Sequence, residues 1–279
     1  MPVIAVINRK GGSGKSTLAT HLATWLAGQG VAVMLGDVDR QQSTRAWLRR
    51  RDAALPTIVP WVVDQRNVLK VPPGVTHVVL DTPGGMQGFE LAKVIMSTDA
   101  VLIPLCNSLF DRESAAACLA ELQTLPRIAS GRCKLGIVGM RIDARTRAAQ
   151  VLQEWAQAQQ LPFIGFLREA QLYVRSLESG QTLFDHPPTA DNADLRQWEP
   201  IVQWLQPVVG LQPVPLAPVP APAESGGERI AAPRAASLMP AQEALVHGSR
   251  LSVFAPAAPE TRHPGSLDYF AGPLSLLRH

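Results

Sequence analysis

The sequence predicts an α/β fold with a doubly wound, mostly parallel sheet that is flanked by helices. From residue 2 to about residue 206, apolar runs rich in valine and isoleucine alternate with segments of helical periodicity, the pattern of parallel strands joined by crossover helices. A glycine-rich turn follows the first apolar run and leads into a helical segment. With 46% apolar residues among 279, the chain can bury a substantial core.

Seven apolar runs are predicted as strands, the weakest being TIVPWVV at 57–63. The other six are residues 3–7, 31–37, 77–81, 100–105, 134–140 and 162–166. Each is followed by a polar or glycine-rich turn and a helical stretch. A last helix is predicted over residues 193–208, with Trp198, Ile201, Val202 and Leu205 on one apolar stripe. The sequence therefore predicts one domain over residues 1–206.

The composition changes abruptly near Pro207. Residues 207–279 hold half of the chain's 24 prolines, and alanine fills much of the rest. Such a segment is predicted to be a disordered, partly polyproline tail. Two patches within it, LMPAQEALVHGSRLSVF and SLDYFAGPLSLLRH, are candidate docking motifs, the alternative being plain disorder.

The composition also limits where the protein acts. No apolar run approaches the roughly 18 to 20 residues of a membrane helix, so we expect a cytoplasmic protein with no membrane span. The three cysteines form no C-x-x-C pair, which argues against a disulfide framework and against a structural metal site. The formal charge of +3 is mild, but basic residues cluster between Arg40 and Arg51 and between Arg127 and Arg147. Either cluster is a solvated helix face or a binding surface.

The stretch RKGGSGKST, residues 9–17, has the composition of a phosphate-binding loop. Gly14, Lys15 and Ser16 match the second half of the pattern G-x-x-x-x-G-K-[ST], whereas Arg9 replaces its leading glycine and a second lysine, Lys10, follows. The loop lies between a predicted strand and a predicted helix, whose N-terminal amides favour an anion. The predicted nucleotide-binding residues are Gly11, Gly12, Ser13, Gly14, Lys15, Ser16 and Thr17. Lys15 is expected to contact the β and γ phosphates, and Ser16 to contact Mg²⁺.

Acidic residues end two of the predicted strands. Asp81 ends HVVLD and suits a water of the Mg²⁺ shell, and the glycines after it make the next loop a candidate switch for the γ phosphate. Asp37 and Asp39 follow the strand at 31–37. We expect one of these two carboxylates in the metal shell, through water, and the other to orient the attacking water. A solvent-facing pair is the alternative.

Together, KGGSGKST, DVD at 37–39 and DTP at 81–83 resemble the ParA/MinD superfamily of P-loop ATPases with a deviant Walker A loop. Finer features are similar to MipZ-like and orphan ParA-like positioning ATPases. They are DVDRQQS (37–43), DTPGG (81–85), PLCNSLFD (104–111) and the segment 168–185. Met140 departs from the family pattern, because many ParA proteins have an adenine-binding asparagine at this point.

The resemblance implies a slow, dimer-dependent ATPase that uses ATP and Mg²⁺. Lys10 would cross the interface of an ATP-bound homodimer and act with Lys15 on the transferring phosphate, while Asp39 would be the hydrolytic residue. Asp37 and Asp81 would belong with Mg²⁺ and the switches. Arg9 has either a spacer role at this interface or a contact to the partner.

The resemblance also implies a spatial role, in chromosome or plasmid partition or in placement of the division site. Family members bind DNA without sequence preference as ATP dimers, which predicts a nucleoid-associated protein. The candidate DNA-binding residues are Arg141, Arg145, Arg147, Arg168, Arg175 and Arg196. For the run Arg49–Arg51, the alternative is a helix C-terminus that complements its dipole. A protein partner is expected to be ParB-like, FtsZ-like or a cargo adaptor.

Two other functions compete with this one. A MinD-like membrane-associated regulator of cell division would need a C-terminal amphipathic helix, and LSLLRH is short and poor in cations. A metabolic ATP-dependent synthetase on the same fold would lack the extra lysine, so Lys10 argues against it.

Overall fold

The sheet has seven strands, all parallel, in the order β3-β2-β4-β1-β5-β6-β7. The computed structural model describes residues 1–39, 41–62, 71–143, 145–187 and 192–211. The strands are β1 (Val3–Val6), β2 (Val33–Asp37), β3 (Ile58–Val62), β4 (His77–Asp81), β5 (Ala100–Leu105), β6 (Lys134–Met140) and β7 (Phe163–Leu167). The predicted fold class and all seven predicted strands are confirmed, including the weak run at 57–63.

Helices cover both faces of the sheet, as a doubly wound fold requires. They are α1 (Lys15–Gly28), α2 (Ser43–Leu48), α3 (Gly88–Ile95), α4 (Leu109–Thr124), α5 (Pro126–Ala129), α6 (Ala148–Ala158), α7 (Gln171–Glu178), α8 (Ala193–Arg196) and α9 (Glu199–Val209), with a 3-10 helix at Leu183–Asp185. Within the described ranges, no helix combines the length and the apolar character that a membrane span needs.

The core consists of two main apolar layers, one on each face of the sheet. Alternate residues of β1 point to opposite faces, so Ile4 and Val6 pack with α1 and α9. Val3, Ala5 and Ile7 pack with α3 and α4. All four residues of β1 and eleven of the fourteen residues of α1 are buried. The loop between these two elements is therefore held at both ends by the core.

The strand order brings the predicted acidic residues together. β4 lies between β1 and β2, and in the register Asp81 pairs with Val6 on one side and with Asp37 on the other. Because parallel strands all end at the same edge, the loop after β1 and the ends of β2 and β4 share one crevice, the usual ligand site in open α/β sheets.

The C-terminal helix differs from the prediction. The single helix expected over 193–208 is instead two, α8 and α9, with a break at Gln197 and Trp198. Asn192 caps α8 by accepting the N–H of Leu195 at 3.1 Å, and Pro200 stands in the first turn of α9, where a missing N–H costs nothing.

The described fold also extends beyond the composition change. Helix α9 continues through Pro207 to Val209. The candidate docking motifs of the predicted tail lie outside the described residues, so the tail stays a prediction.

Candidate functional site

The loop between β1 and α1 has the backbone geometry of an anion cradle. Gly12 and Gly14 have φ values of 73° and 96°, which only glycine adopts without strain. Open space lies where Cβ atoms would stand at Gly11 and Gly12, so the main chain there is accessible to a ligand. The first turn of α1 follows directly, with its N–H groups free of intrahelical partners.

Lys15 spans this loop from the first position of α1. Its Nζ donates to the carbonyl oxygen of Lys10 at 3.0 Å, and the residue is 7% exposed. Burial lowers the pKa of Lys15, and the carboxylates of Asp81 and Asp39 partly offset this effect. The ammonium therefore lies in a poorly solvated position, where its attraction for phosphate is strong.

Asp81 is a deeply buried carboxylate beside the phosphate loop. The residue is 1% exposed, and neither oxygen has a well-formed hydrogen bond among the described residues. Burial raises the pKa of Asp81 to about 7; Asp37 and Asp39 add to this, while the nearby Ser16 hydroxyl and Lys15 lower it. A buried acid with open lone pairs beside a serine hydroxyl fits the surroundings of a divalent cation.

Asp37 has a different local environment from Asp81. One of its oxygens accepts the N–H of Asp39 at 3.1 Å. The other accepts the Thr44 hydroxyl at 2.8 Å and the N–H groups of Thr44 and Arg45 at 3.1 Å. These bonds cap the start of α2. The structure thus shows a structural role for Asp37, and its place in a metal shell stays a prediction.

Asp39 is partly buried, and its carboxylate accepts a hydrogen bond from a residue in the same turn. Its Oδ1 accepts the N–H of Gln41 at 3.0 Å. The carboxylate lies near enough to influence both Lys15 and Asp81 electrostatically. Asp39 therefore lies close to Lys15 and Asp81, and its hydrolytic role stays a prediction.

Lys10 forms an ion pair that the sequence does not predict. Its Nζ lies 2.5 Å from Oδ1 of Asp111, and the Ser108 hydroxyl donates to the other oxygen at 2.5 Å. Burial raises the pKa of Asp111, but the bonds from Lys10 and Ser108 outweigh it and leave the pKa below its ordinary value. The spacing of Ser108 and Asp111 is typical of a helix start. No feature of the local sequence predicts the ion pair between Asp111 and Lys10, because the two residues are far apart in the chain.

The candidate switch, residues 82–88, touches the phosphate loop directly. The N–H of Gly85 donates to the Arg9 carbonyl at 2.6 Å. A Cβ at Gly84 would lie 3.4 Å from both the Arg9 carbonyl oxygen and the Gly11 nitrogen. A side chain at this position would therefore be in direct van der Waals contact with the phosphate loop, which shows how closely the two loops pack.

The candidate DNA-binding arginines lie in the segments that follow β6 and β7. Arg168 is paired with Asp194, and Arg145 with Asp143. Arg141, Arg147 and Arg175 are exposed. No single contiguous surface follows from the contacts of these arginines.

The basic run 40–51 is not a uniform solvated face. Arg40 lies outside the described residues. Arg51 forms a double hydrogen bond to Asp185 at 2.7 and 2.9 Å, with the two side chains 5% and 1% exposed. The run Arg49–Arg51 directly follows the end of α2 at Leu48, the position of the helix C-terminus alternative, while the Arg51 guanidinium is buried against the segment after α7.

Two buried residues lie near the loop, and the sequence does not predict the contacts of either. His21, on α1, is fully buried and stacks on Trp198 with the ring centroids 5.0 Å apart. Met140, which departs from the family pattern, packs on the loop, since a Cβ at Gly14 would lie 2.6 Å from its Cε. No local sequence signal indicates these contacts, because both Trp198 and Met140 are distant from α1 and the loop along the chain.

Comparison with known proteins finds a matching family model and several named relatives. The family model of the CobQ/CobB/MinD/ParA nucleotide binding domain matches residues 4–183. Two relatives are named maintenance of carboxysome distribution protein A. The one from Gloeobacter kilaueensis is 38% identical over 37% of this chain and 48% of its own length. The one from Halothiobacillus neapolitanus is 26% identical over 65% and 86%.

A third relative is the chromosome-partitioning ATPase Soj of Thermus thermophilus, 26% identical over 68% of this chain and 90% of its own. The chain thus spans about half of the first relative and most of the other two.

Solved structures show the same fold at low identity. Apo McdA from Cyanothece superposes with a TM-score of 0.58 and 18% identity, covering 74% of this chain and 99% of that chain. MinD of Aquifex aeolicus superposes with a TM-score of 0.56 and 17% identity, covering 73% and 98%.

Proposed function

The chain belongs to the CobQ/CobB/MinD/ParA nucleotide-binding family, and from this premise we propose that it is an ATPase that dimerises with ATP and positions or segregates a cellular cargo. The observation that carries the proposal is the loop itself, in which Lys15 spans open glycine backbone beside Asp81, a buried carboxylate next to the Ser16 hydroxyl. Relatives named for carboxysome distribution and for chromosome partition support the positioning role.

The loop would bind the phosphates of ATP. The main chain of Gly11 and Gly12 approaches the phosphate oxygens without steric hindrance, and Lys15 neutralises their charge from its poorly solvated position. Ser16 and Asp81 would hold Mg²⁺, which neutralises charge on the phosphates when bound. Asp39 would orient the attacking water from the end of the β2 segment.

Lys10 is proposed to act across a dimer interface. Its side chain is 39% exposed and pairs with Asp111, so it does not enter its own phosphate cradle, which Lys15 already spans. A lysine held at the rim in this way is available to a second copy of the chain, once its bond to Asp111 is exchanged. Hydrolysis would then depend on dimerisation.

DNA is proposed as the surface on which the dimer is retained. The exposed arginines after β6 and β7 would neutralise phosphates without reading the sequence, and the binding would weaken as salt rises. The similarity to MinD rests on the shared fold alone, so it adds no separate support for a membrane-associated regulator.

The test is the mass of the protein with and without ATP, measured by light scattering. The wild type should double its mass with ATP and return to the monomer as ATP is hydrolysed. Lys10→Ala should bind a fluorescent ATP analogue yet stay monomeric, whereas Asp39→Ala should remain a dimer. Lys134→Ala, an exposed lysine at the start of β6, is the matched control. A wild type that binds ATP but never changes mass contradicts the proposal.

A further inference from the structure

Arg9 is joined to helix α4 through its side chain. Its guanidinium pairs with Glu121. Burial raises the pKa of the Cys118 thiol, and the nearby charge and main chain of Arg9 act in the opposite direction. Cys118 and Glu121 are three residues apart and therefore lie on the same face of the helix. The first residue of the phosphate loop thus lies against one face of α4.

The same residue also holds the candidate switch. The Arg9 carbonyl accepts the N–H of Gly85 at 2.6 Å, and Glu121 accepts the N–H of Gly88 at 2.5 Å through the oxygen that does not contact Arg9. Gly88 is the first residue of α3, where N–H groups lack intrahelical partners and favour a carboxylate. Glu121 therefore joins the phosphate loop to the start of α3.

We propose that Arg9 and Glu121 are positioning residues that hold the loop 82–88 in place and so control the rate of ATP hydrolysis more than the affinity for ATP. This inference rests on the proposed ATPase function. Gly85 and Gly88 have φ values of 78° and 59°, so the loop has a large conformational freedom to lose. The pair restricts that freedom close to Asp81, where a small displacement of the loop costs rate.

The environment of the pair makes this role physically reasonable. The Arg9 and Glu121 side chains are only 23% and 24% exposed, so solvent screens the pair less than a surface ion pair. Both side chains point to α4 and α3, and neither fills the open space at Gly11 and Gly12. Loss of the pair should therefore disturb the loop without removing a phosphate contact.

The chain offers a matched control. Arg127 pairs with Asp99 at 2.5 Å, with both side chains 28% exposed. Asp99 directly precedes β5, at the opposite edge of the sheet from the phosphate loop. Arg127→Gln thus removes a similar arginine–carboxylate pair away from the site.

The experiment combines steady-state kinetics with amide hydrogen exchange of the full chain. Arg9→Gln and Glu121→Gln should each lower kcat about ten-fold and change KM for ATP less than two-fold. The double variant should be no worse than either single variant, because both changes remove one interaction. Arg9→Lys, which keeps the charge, should recover most of kcat.

Exchange of the amides in residues 82–88 should be about five-fold faster in both glutamine variants and unchanged in Arg127→Gln. Faster exchange at Gly88 alone, with Gly85 unchanged, would overturn the coupling of the two loops. A raised KM with an unchanged kcat, or additive effects in the double variant, would also overturn the inference. A wild type without ATPase activity would refute the proposed function, while the exchange data would still decide the coupling.

Discussion

The buried His21 should make the stability of the fold depend on pH. The ring is 0% exposed and stacks on Trp198 with an interplanar angle of 6°. Its Nδ1 lies 2.8 Å from the Thr17 carbonyl, and its Nε2 has no hydrogen-bond partner among the described residues. Burial lowers the pKa of His21 to about 4, although the bond to Thr17 and the charge of Asp185 act in the other direction.

The direction of this pH dependence follows from proton binding by His21 in the folded and unfolded states. In the folded state His21 stays neutral down to about pH 4, while in the unfolded chain it takes up a proton below its ordinary pKa of about 6.5. The unfolded state therefore binds more protons in this window, and stability falls as the pH falls. The loss is about 2 kcal/mol between pH 7 and pH 5, and about 3 kcal/mol once the pH is below 4.

The assay is urea unfolding of the wild type and of His21→Phe at pH 7 and pH 5. Phenylalanine keeps an aromatic ring against Trp198 but cannot take up a proton. Other acids titrate equally in both proteins, so the difference between their pH dependences isolates His21. The wild type should lose about 2 kcal/mol more than the variant. An equal loss in both proteins would refute the reasoning, because it would mean that the ring is protonated inside the fold without cost.

Three further outcomes are expected. Lys15→Ala should lose measurable binding of a fluorescent ATP analogue, since it removes the ammonium that spans the loop; retained affinity would contradict the phosphate-loop assignment. Asp185→Ala should lower the free energy of unfolding by about 3 to 5 kcal/mol, because it leaves the Arg51 guanidinium buried and unpaired. Asp143→Ala, in an exposed pair, should leave the free energy of unfolding almost unchanged in the same urea titration, because solvent screens such a pair. Arg175→Glu should weaken an ATP-dependent gel shift of DNA at low salt, and a shift of unchanged strength would remove Arg175 from the DNA surface.

Local pattern was sufficient for the architecture. The alternation of valine-rich runs with helical periodicity predicts each strand, because a strand buried on both faces must be apolar throughout. The spacing of Gly14, Lys15 and Ser16 predicts the loop, since the chemistry of phosphate binding requires these residue types in this order. The prediction of a single helix over 193–208 was wrong, because a new helix, α9, begins at Glu199 with Pro200 in its first turn. The apolar stripe at 198–205 gave no sign of this boundary.

The partners of the charged residues could not be predicted in the same way. Asp37 and Asp81 both end strands with similar sequences, yet Asp37 caps α2, whereas the Asp81 oxygens have no well-formed hydrogen bond within the described part of the chain, because the chain turns differently after each strand. Lys10 and Arg9 are adjacent, and they contact residues near opposite ends of α4.

By itself, then, the sequence determined the order of the elements, the phosphate loop and the acids at the strand ends, since these depend on neighbouring residues and on burial. Only the tertiary structure decided that Arg9 meets Glu121 across 112 residues, and that His21 lies fully buried among aromatic rings. Such contacts depend on how helices pack on the sheet, and this packing is set by many weak apolar contacts that no short segment contains.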